Sequence, residues 1–308
     1  MKKMSKRIVF FGNERLATGV TTDAPVLRAL IVAGYEIAAL VIAQNDAGAS
    51  RNSRKLEIVE LAEEYKIPVL SPAKPSDIRD QLLNYGAEAA VLVAYGKILA
   101  SAVLDIFPRG IINLHPSLLP KHRGSTPIES AILAGEAETG VSIMQLSAKM
   151  DAGDVFLQDK LALVGDESKQ ELADQLSTLG AEALISVLPG ILDGTTAGTP
   201  QDEQLATYDQ QLAKADALLD FTKPARQLER EVRAFLGWPR SRTTLGSVEV
   251  IITHSRSAEG QGQPGSLWLQ NNELGICTSD GIFLIDSLVP AGKKEMTSQA
   301  FLAGYKLT

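Results

Sequence analysis

Short apolar runs that alternate with helical segments constrain this chain more than any other feature of its sequence. The order is strand, helix, strand, helix, strand, helix and strand, at residues 8–11, 24–33, 37–43, 55–65, 69–70, 76–85 and 89–94. Apolar strands that alternate with helices are typical of a parallel sheet that is covered on both faces. The sequence therefore predicts an α/β fold with a mostly parallel, Rossmann-like sheet in its N-terminal part.

The later segments predict a second, smaller domain. Residues 126–134 and 167–192 have helical patterns, the longer one capped by Asp166 and broken near Pro189, and residues 141–146 and 155–163 have strand patterns. We interpret residues 1–193 as one domain and the Gly-, Thr- and Pro-rich residues 194–209 as a linker. A basic helix at residues 224–236 and closely spaced short strands after it predict a small OB-like β-barrel in residues 210–308.

Composition and charge limit the class of protein. The 308 residues are 45% hydrophobic and carry a net charge of −7, whereas residues 209–308 hold 11 basic and 11 acidic residues. The overall charge argues against non-specific nucleic-acid binding but leaves room for a local basic face. A single cysteine, Cys277, and no long apolar segment near the N-terminus favour a cytoplasmic protein that does not associate with membranes.

Two polar side chains at the end of an apolar strand are the strongest sign of chemistry. Residues 111–115 read as a buried strand that ends at Pro116, and Asn113 and His115 lie two positions apart on it. A strand has a period of two, so both side chains leave the same face. Asp151 follows another predicted strand, and we expect it at the same sheet edge. An amide, an imidazole and a carboxylate suit acyl transfer, although a structural Asn–His pair with a turn-forming Asp explains the spacing equally well.

A basic loop at residues 121–127 leads into a predicted helix. Lys121 and Arg123 beside a helix N-terminus indicate an anion site, and a solvated loop with a helix cap is the alternative. The three histidines, His115, His122 and His254, are too scattered for a metal site, and we expect His122 to face solvent. The segment after Gly12 lacks the dinucleotide-binding glycine pattern.

The stretch from Asn113 to Gly124, which reads NLHPSLLPKHRG, resembles the signature of the folate-dependent formyltransferases. Residues 140–145 and 150–155 resemble the second motif of that family. Residues 227–239 and 290–296 resemble the C-terminal domain of those members that act on initiator methionyl-tRNA. The resemblance therefore covers nearly the whole chain.

The resemblance implies transfer of a formyl group from 10-formyltetrahydrofolate to the α-amino group of methionine on initiator tRNA, without a metal. Asn113 and His115 would stabilise the oxyanion, and Asp151 would orient His115 and assist proton transfer. The residues implied at the folate are Ala94, Tyr95, Gly96, Ile98, Leu99, Ser117, Leu118, Leu119, Pro120 and Asp154. Those implied at the tRNA are Arg51, Arg54, Lys55 and Arg123. We expect a monomer.

Three departures from the family pattern concern substrate recognition. Asn13, Glu14 and Arg15 stand where the family carries Gly-Thr-Pro and a nearby Phe, His122 replaces an aromatic residue, and the sequence stops soon after Tyr305. We therefore expect differently arranged tRNA contacts. The alternatives are a sugar-nucleotide N-formyltransferase and a non-catalytic protein that binds RNA or folate.

Overall fold

The computed structural model describes residues 6–43 and 56–307. The described residues divide into two compact units. The first unit comprises the described residues within Met1–Pro127, Glu138–Ala162 and Leu172–Gln210. The second comprises those within Ile128–Ala137, Leu163–Glu171 and Gln211–Thr308.

A seven-stranded sheet organises the first unit. Its strands are β1 (Arg7–Gly12), β2 (Glu36–Val41), β3 (Val69–Leu70), β4 (Ala89–Val93), β5 (Ile111–His115), β7 (Glu138–Gln145) and β8 (Val155–Ala162). They lie in the order β3-β2-β1-β4-β5-β7-β8. The first five are parallel, and β7 and β8 are each antiparallel to the neighbouring strand. The prediction of a mostly parallel sheet is confirmed.

The helices of the N-terminal half lie where the apolar pattern predicts, except for α4, which was not predicted. They are α1 (Pro25–Val32), α2 (Glu57–Glu64), α3 (Arg79–Asn84), which follows a 3-10 turn, α4 (Ser101–Leu104) and α5 (Pro127–Ala134). One core cluster of this part joins Val9 and Phe11 of β1 to Leu92 of β4 and Ile111 of β5. This buried sheet holds the C-terminal end of β5 in a fixed place.

The direction of β7 corrects one step of the sequence argument. The pairing of Ile112 with Gln145 and of His115 with Ser142 is antiparallel, so β7 ends at the sheet edge where β5 begins. Asp151 therefore does not follow a strand end beside His115. The loop after β7 must fold back to reach that residue.

The longest helix, α6 (Lys169–Asp193), begins at a different cap from the one predicted. Ser168 and Glu171 exchange hydrogen bonds, since the Ser168 N–H and hydroxyl donate to the Glu171 carboxylate and the Glu171 N–H donates to the Ser168 hydroxyl. This is a capping box with Ser168 in the cap position, and not Asp166. Pro189 lies inside a continuous helix. By length and composition α6 could cross a membrane, but 50% of its most apolar stretch is buried in the fold.

The second unit contains a curled antiparallel sheet. Its strands are β10 (Arg242–Leu245), β11 (Val248–Ala258), β12 (Leu267–Gln270), β13 (Glu273–Cys277), β14 (Ile282–Pro290) and β15 (Met296–Thr297). The order is β10-β11-β14-β13-β12, with β15 paired to β14. Helices α7 (Ala225–Ala234) and α8 (Ser298–Gly304) contribute Leu228 and Phe301 to its core. The sheet forms a half-barrel consistent with the predicted OB-like fold.

The predicted linker contains packed structure in the first unit. Two short strands, β6 (Arg123–Gly124) and β9 (Tyr208–Asp209), pair with each other. Thr199 exchanges backbone hydrogen bonds with Val155 at the start of β8. We call residues 199–210 the strap, because they run along the segments that carry the candidate site.

Candidate active site

Strand β5 places Asn113 and His115 on one face of the sheet, as the period of two predicts. Each residue is 5% exposed, so both groups are largely shielded from water. Within residues 6–43 and 56–307, the Asn113 amide makes no hydrogen bond, which leaves its N–H₂ group and its oxygen for a bound ligand. Shielded donors of this kind interact more strongly with developing charge than donors in water.

The His115 imidazole has a separate partner at each ring nitrogen. Its Nε2 lies 2.8 Å from the backbone oxygen of His122. A carbonyl oxygen only accepts, so Nε2 carries a proton. Its Nδ1 lies 3.8 Å from Oδ2 of Asp151, which is an ion-pair distance rather than a hydrogen bond. The Nδ1 edge is therefore the one that faces the carboxylate and is left for chemistry.

The loop after β7 brings Asp151 back to His115. Asp151 has a left-handed backbone with φ of 46°, and its Oδ2 accepts a hydrogen bond of 2.8 Å from the Gly124 N–H. A Cβ on Gly153 would lie 1.8 Å from the Gln145 carbonyl oxygen, so only glycine permits this close return. The Gln201 amide, in the strap, donates to the carbonyls of Asp151 and Gly153 at 2.8 and 2.7 Å.

This arrangement suits direct acyl transfer to an amine. An amide and a protonated imidazole can both donate to an oxygen that gains negative charge, and a nearby carboxylate can stabilise the imidazole and accept a proton. In the described part of the chain, no group of three or more His, Cys, Asp or Glu side chains could hold a metal ion. The candidate chemistry relies on these three side chains.

The residues predicted at the folate divide between two segments. Ala94, Tyr95, Gly96, Ile98 and Leu99 follow β4, the neighbour of β5. The Tyr95 ring is buried edge-on to Phe11, with 5.4 Å between centroids, and its burial raises the pKa of the phenol. Ile98, by contrast, is 90% exposed. Buried neighbours thus fix the segment, while the Ile98 side chain remains exposed.

The second predicted folate segment follows His115 directly. Ser117 is buried, and its hydroxyl donates to the Lys121 carbonyl at 2.7 Å, while its own carbonyl accepts from Ser142 at 2.7 Å. A cleft of about 450 Å³ is lined by Leu119, Pro120, Val155, Phe156, Leu157, Gln158, Thr199, Pro200, Gln201 and Asp202. Its lining includes two predicted folate residues, Leu119 and Pro120, but none of the three catalytic candidates. Leu118 and Asp154 lie outside it.

The burial of Arg123 disagrees with the expectation that this residue contacts tRNA. Its side chain is fully buried, and its guanidinium makes five hydrogen bonds of 2.8 to 3.1 Å to Gln201, Glu203 and Tyr208. The hydrogen bond to Glu203 is the main reason that the pKa of Arg123 is raised. Because all five donors are occupied, Arg123 has a structural role. Arg123 is therefore not available to bind an anion at the predicted site.

His122 also differs from its expected solvent-facing position. Its side chain is 13% exposed and its Nδ1 lies 3.1 Å from Oδ1 of Asp209. His254, in contrast, is an exposed residue of the half-barrel beside Glu295. The other predicted tRNA residues, Arg51, Arg54 and Lys55, lie outside the described residues.

Two groups of residues with structural contacts were not predicted from the sequence. Glu14 directly follows the short turn after Gly12, and its carboxylate is buried at the start of α1. Its position in a departure from the family pattern is a signal that could have singled it out. The strap residues Gln201, Thr207 and Asp209 had no such signal, because they belong to a stretch with the composition of a linker.

Comparison with known proteins defines the class of this fold and site. The sequence profile described as "Formyl transferase" matches residues 6–188, and the profile of the formyl transferase C-terminal domain matches residues 211–306. Solved structures agree on the fold. HypX from Aquifex aeolicus with tetrahydrofolic acid has a TM-score of 0.66 at 17% identity, over 96% of this chain and 46% of that one. The sugar 3N-formyltransferase WlaRD has a TM-score of 0.67 at 16% identity, over 95% and 100%.

Curated relatives narrow the class. A methionyl-tRNA formyltransferase from Pelobacter propionicus is 36% identical over 97% of this chain and 93% of its own length. The protein of the same name from Methylococcus capsulatus is 37% identical over 98% and 97%. The chain therefore belongs to the formyl transferase family, and within it to the methionyl-tRNA formyltransferases. This confirms the resemblance inferred from the sequence motifs.

Proposed function

We propose that this protein transfers the formyl group of 10-formyltetrahydrofolate to the α-amino group of methionine on initiator tRNA. The observation that carries the proposal is the match to methionyl-tRNA formyltransferases over nearly the full length of both chains. The buried Asn113 and His115, with Asp151 at 3.8 Å from the imidazole, supply the groups that this reaction requires. A folate- or RNA-binding protein without catalysis would not need these three groups together.

The chemistry follows from the charge that develops during transfer. The methionyl amine attacks the formyl carbon, and the formyl oxygen becomes an oxyanion. Asn113 and the Nδ1–H of protonated His115 donate hydrogen bonds to that oxygen, while the Nε2–H stays bonded to the His122 carbonyl. These two donors lower the energy of the transition state. Asp151, whose Oδ2 lies 3.8 Å from Nδ1 of His115, faces the same edge of the ring and accepts the proton that the amine must lose. The oxyanion then re-forms the carbonyl, the bond from carbon to the folate nitrogen breaks, and that nitrogen takes the proton that Asp151 accepted from the amine.

The donor is proposed to lie along the segment after β4 and the segment after His115. The exposed Ile98 side chain offers an apolar surface, and buried Tyr95 and Leu99 hold the surrounding backbone. The remaining members of this proposed surface are Ala94, Gly96, Ser117, Leu118, Leu119, Pro120 and Asp154.

The acceptor is proposed to be held by two parts of the chain. The half-barrel of the second unit packs against the basic helix α7, on which Arg226 is exposed. Arg51, Arg54 and Lys55 supply further positive charge. We infer a cytoplasmic monomer that works without a membrane, as expected for an enzyme that acts on tRNA.

The direct test is formyl transfer by the purified protein with charged initiator tRNA and 10-formyltetrahydrofolate. His115→Ala is expected to lower kcat by roughly 10²–10³-fold, the loss typical of one oxyanion donor. His254→Ala, which removes an exposed histidine, is the matched control and should leave kcat unchanged. Full activity of His115→Ala would contradict the catalytic role. Formylation of an amino-sugar nucleotide but not of tRNA would contradict the substrate.

A further inference from the structure

The backbone of His122 determines how His115 is held. His122 has a left-handed backbone with φ of 57°, an unusual conformation for a residue other than glycine. In this conformation its carbonyl oxygen accepts the hydrogen bond of 2.8 Å from Nε2 of His115. The orientation and tautomer of the catalytic imidazole therefore depend on where the His122 peptide lies.

The strap holds the peptide that carries this carbonyl through the Arg123 N–H, which donates to the Thr207 carbonyl at 2.9 Å. It also contacts His122 through the backbone N–H and the ring. The His122 N–H donates to the Thr207 hydroxyl at 2.8 Å. Its Nδ1 lies 3.1 and 3.2 Å from the two carboxylate oxygens of Asp209, and these side chains are only 13% and 10% exposed. A shielded contact between an imidazole and a carboxylate is less screened and more directional than an exposed one.

The residues after His122 are fixed by the same strap. Arg123 is anchored by Gln201, Glu203 and Tyr208. A Cβ on Gly124 would lie 2.8 Å from the Asp209 carbonyl oxygen, so these backbones pass very close together. The Gly124 N–H in turn holds Asp151. The strap thus supports both partners of the His115 ring, and Asp209 contacts the side chain of the residue that binds Nε2.

We propose that Asp209 and His122 form a positioning pair that fixes His115 for formyl transfer. The proposal rests on the proposed function, in which His115 donates to the oxyanion. Oxyanion donors act at 2.7–3.1 Å, and a misplacement of about 1 Å can cost roughly 100-fold in rate. Asp209 exerts its effect through the His122 ring and backbone, and then through Nε2 of His115. It neither contacts substrate nor takes part in proton transfer.

The test compares Asp209→Ala with Asp209→Asn in the full-length protein. Asp209→Ala removes the acceptor for the His122 ring, and we expect kcat to fall about tenfold or more while KM for tRNA and for 10-formyltetrahydrofolate stays unchanged. Asp209→Asn keeps one oxygen acceptor and is expected to restore most of kcat. Asp80→Ala, which removes an exposed carboxylate on α3, is the control and should match the wild type.

Nuclear magnetic resonance supplies a readout that does not depend on activity. The chain has only three histidines, so nitrogen-15 spectra resolve the tautomer of each ring. Neutral His115 is expected as the Nε2–H form in the wild type and in Asp209→Asn, and as a mixture of tautomers in Asp209→Ala. If the Ala variant folds poorly, His122→Phe, which also removes the ring contact, supplies the comparison and should give the same mixture of tautomers.

A double-mutant cycle with His122→Phe isolates the pair. His122→Phe keeps the backbone carbonyl but loses the ring contact, so Asp209→Ala should cost nothing further in that background. Additive losses in kcat, or an unchanged His115 tautomer in Asp209→Ala beside a fully active wild type, would overturn the positioning pair. An inactive wild type with the Nε2–H tautomer of His115 intact would instead overturn the proposed function alone.

Discussion

At the scale of single residues, Glu14 shows how burial changes an acid. Its side chain is 1% exposed, and its carboxylate accepts from the N–H groups of Val26 and Leu27 at 2.9 and 2.7 Å. Desolvation raises the pKa of Glu14 from 4.5 to about 7, although the two hydrogen bonds act in the opposite direction. This carboxylate caps the N-terminus of α1, where Ala24 offers no side-chain cap.

The raised pKa predicts how stability changes with pH. Between about pH 4.5 and 7, Glu14 is protonated in the native state but ionised in the unfolded chain. Glu14 therefore stabilises the native state at low pH. This stabilisation is lost as the pH rises through about 7. The total loss is roughly 3 kcal/mol. Glu14→Gln has no titratable group at this position and should not show this pH-dependent loss of stability.

The measurement is urea unfolding of both proteins at pH 5 and pH 8. Between pH 5 and pH 8 the free energy of unfolding should fall more in the wild type than in Glu14→Gln. Subtracting the change in the variant from that in the wild type cancels the contribution of the other acidic residues. Equal changes in the free energy of unfolding would show that Glu14 has an ordinary pKa.

At the scale of elements, the start of α6 illustrates a cap that local sequence encodes. Ser168 and Glu171 form a capping box, and the two hydrogen bonds from Ser168 lower the pKa of Glu171. The pattern Ser-x-x-Glu is visible in the sequence, but Asp166 is also a good cap residue and stands two positions earlier. The choice between them depends on where the chain turns after β8, which propensity alone does not specify.

The capping box predicts unequal effects of two neighbouring substitutions. Ser168→Ala should lower the free energy of unfolding by about 1 kcal/mol, since the first turn of α6 loses a side-chain acceptor. Asp166→Ala should change it by less than roughly 0.5 kcal/mol. Chemical denaturation of the two variants checks the assignment, and a larger loss in Asp166→Ala would reverse it.

At the scale of the whole molecule, two separate cores support the two units. One joins the strands of the parallel sheet and the other fills the half-barrel. The net charge of −7 is unfavourable for binding a polyanion, so local basic groups must provide the attraction to tRNA. Arg123 is not one of them, because its charge is paired with Glu203 inside the first unit.

Because Arg123 is buried, we expect its substitution to lower stability without changing the binding of RNA. Arg123→Ala should lower the free energy of unfolding by about 2 kcal/mol, because partners of the guanidinium lose their donors. It should leave the salt dependence of tRNA affinity unchanged. Arg54→Ala should instead reduce the slope of log affinity against log salt by about 1, with little effect on stability. A reduced slope for Arg123→Ala would restore it as a tRNA contact.

The sequence by itself determined the features that depend on near neighbours in the chain. The alternation of apolar runs specified the α/β sheet, and the period of a strand placed Asn113 and His115 on one face. Both follow from local geometry, since burial selects apolar residues at regular spacing. The motifs around these residues identified the family.

Only the tertiary structure decided which polar groups meet. The antiparallel direction of β7, the return of Asp151 to His115, the burial of Arg123 and the contact of His122 with Asp209 all join segments that are distant in sequence. Their pairing follows from the requirement that buried polar groups find partners, and local composition carries no record of those partners. The residues interpreted as a linker thus contain the partners of His122, whose carbonyl oxygen accepts the hydrogen bond from His115.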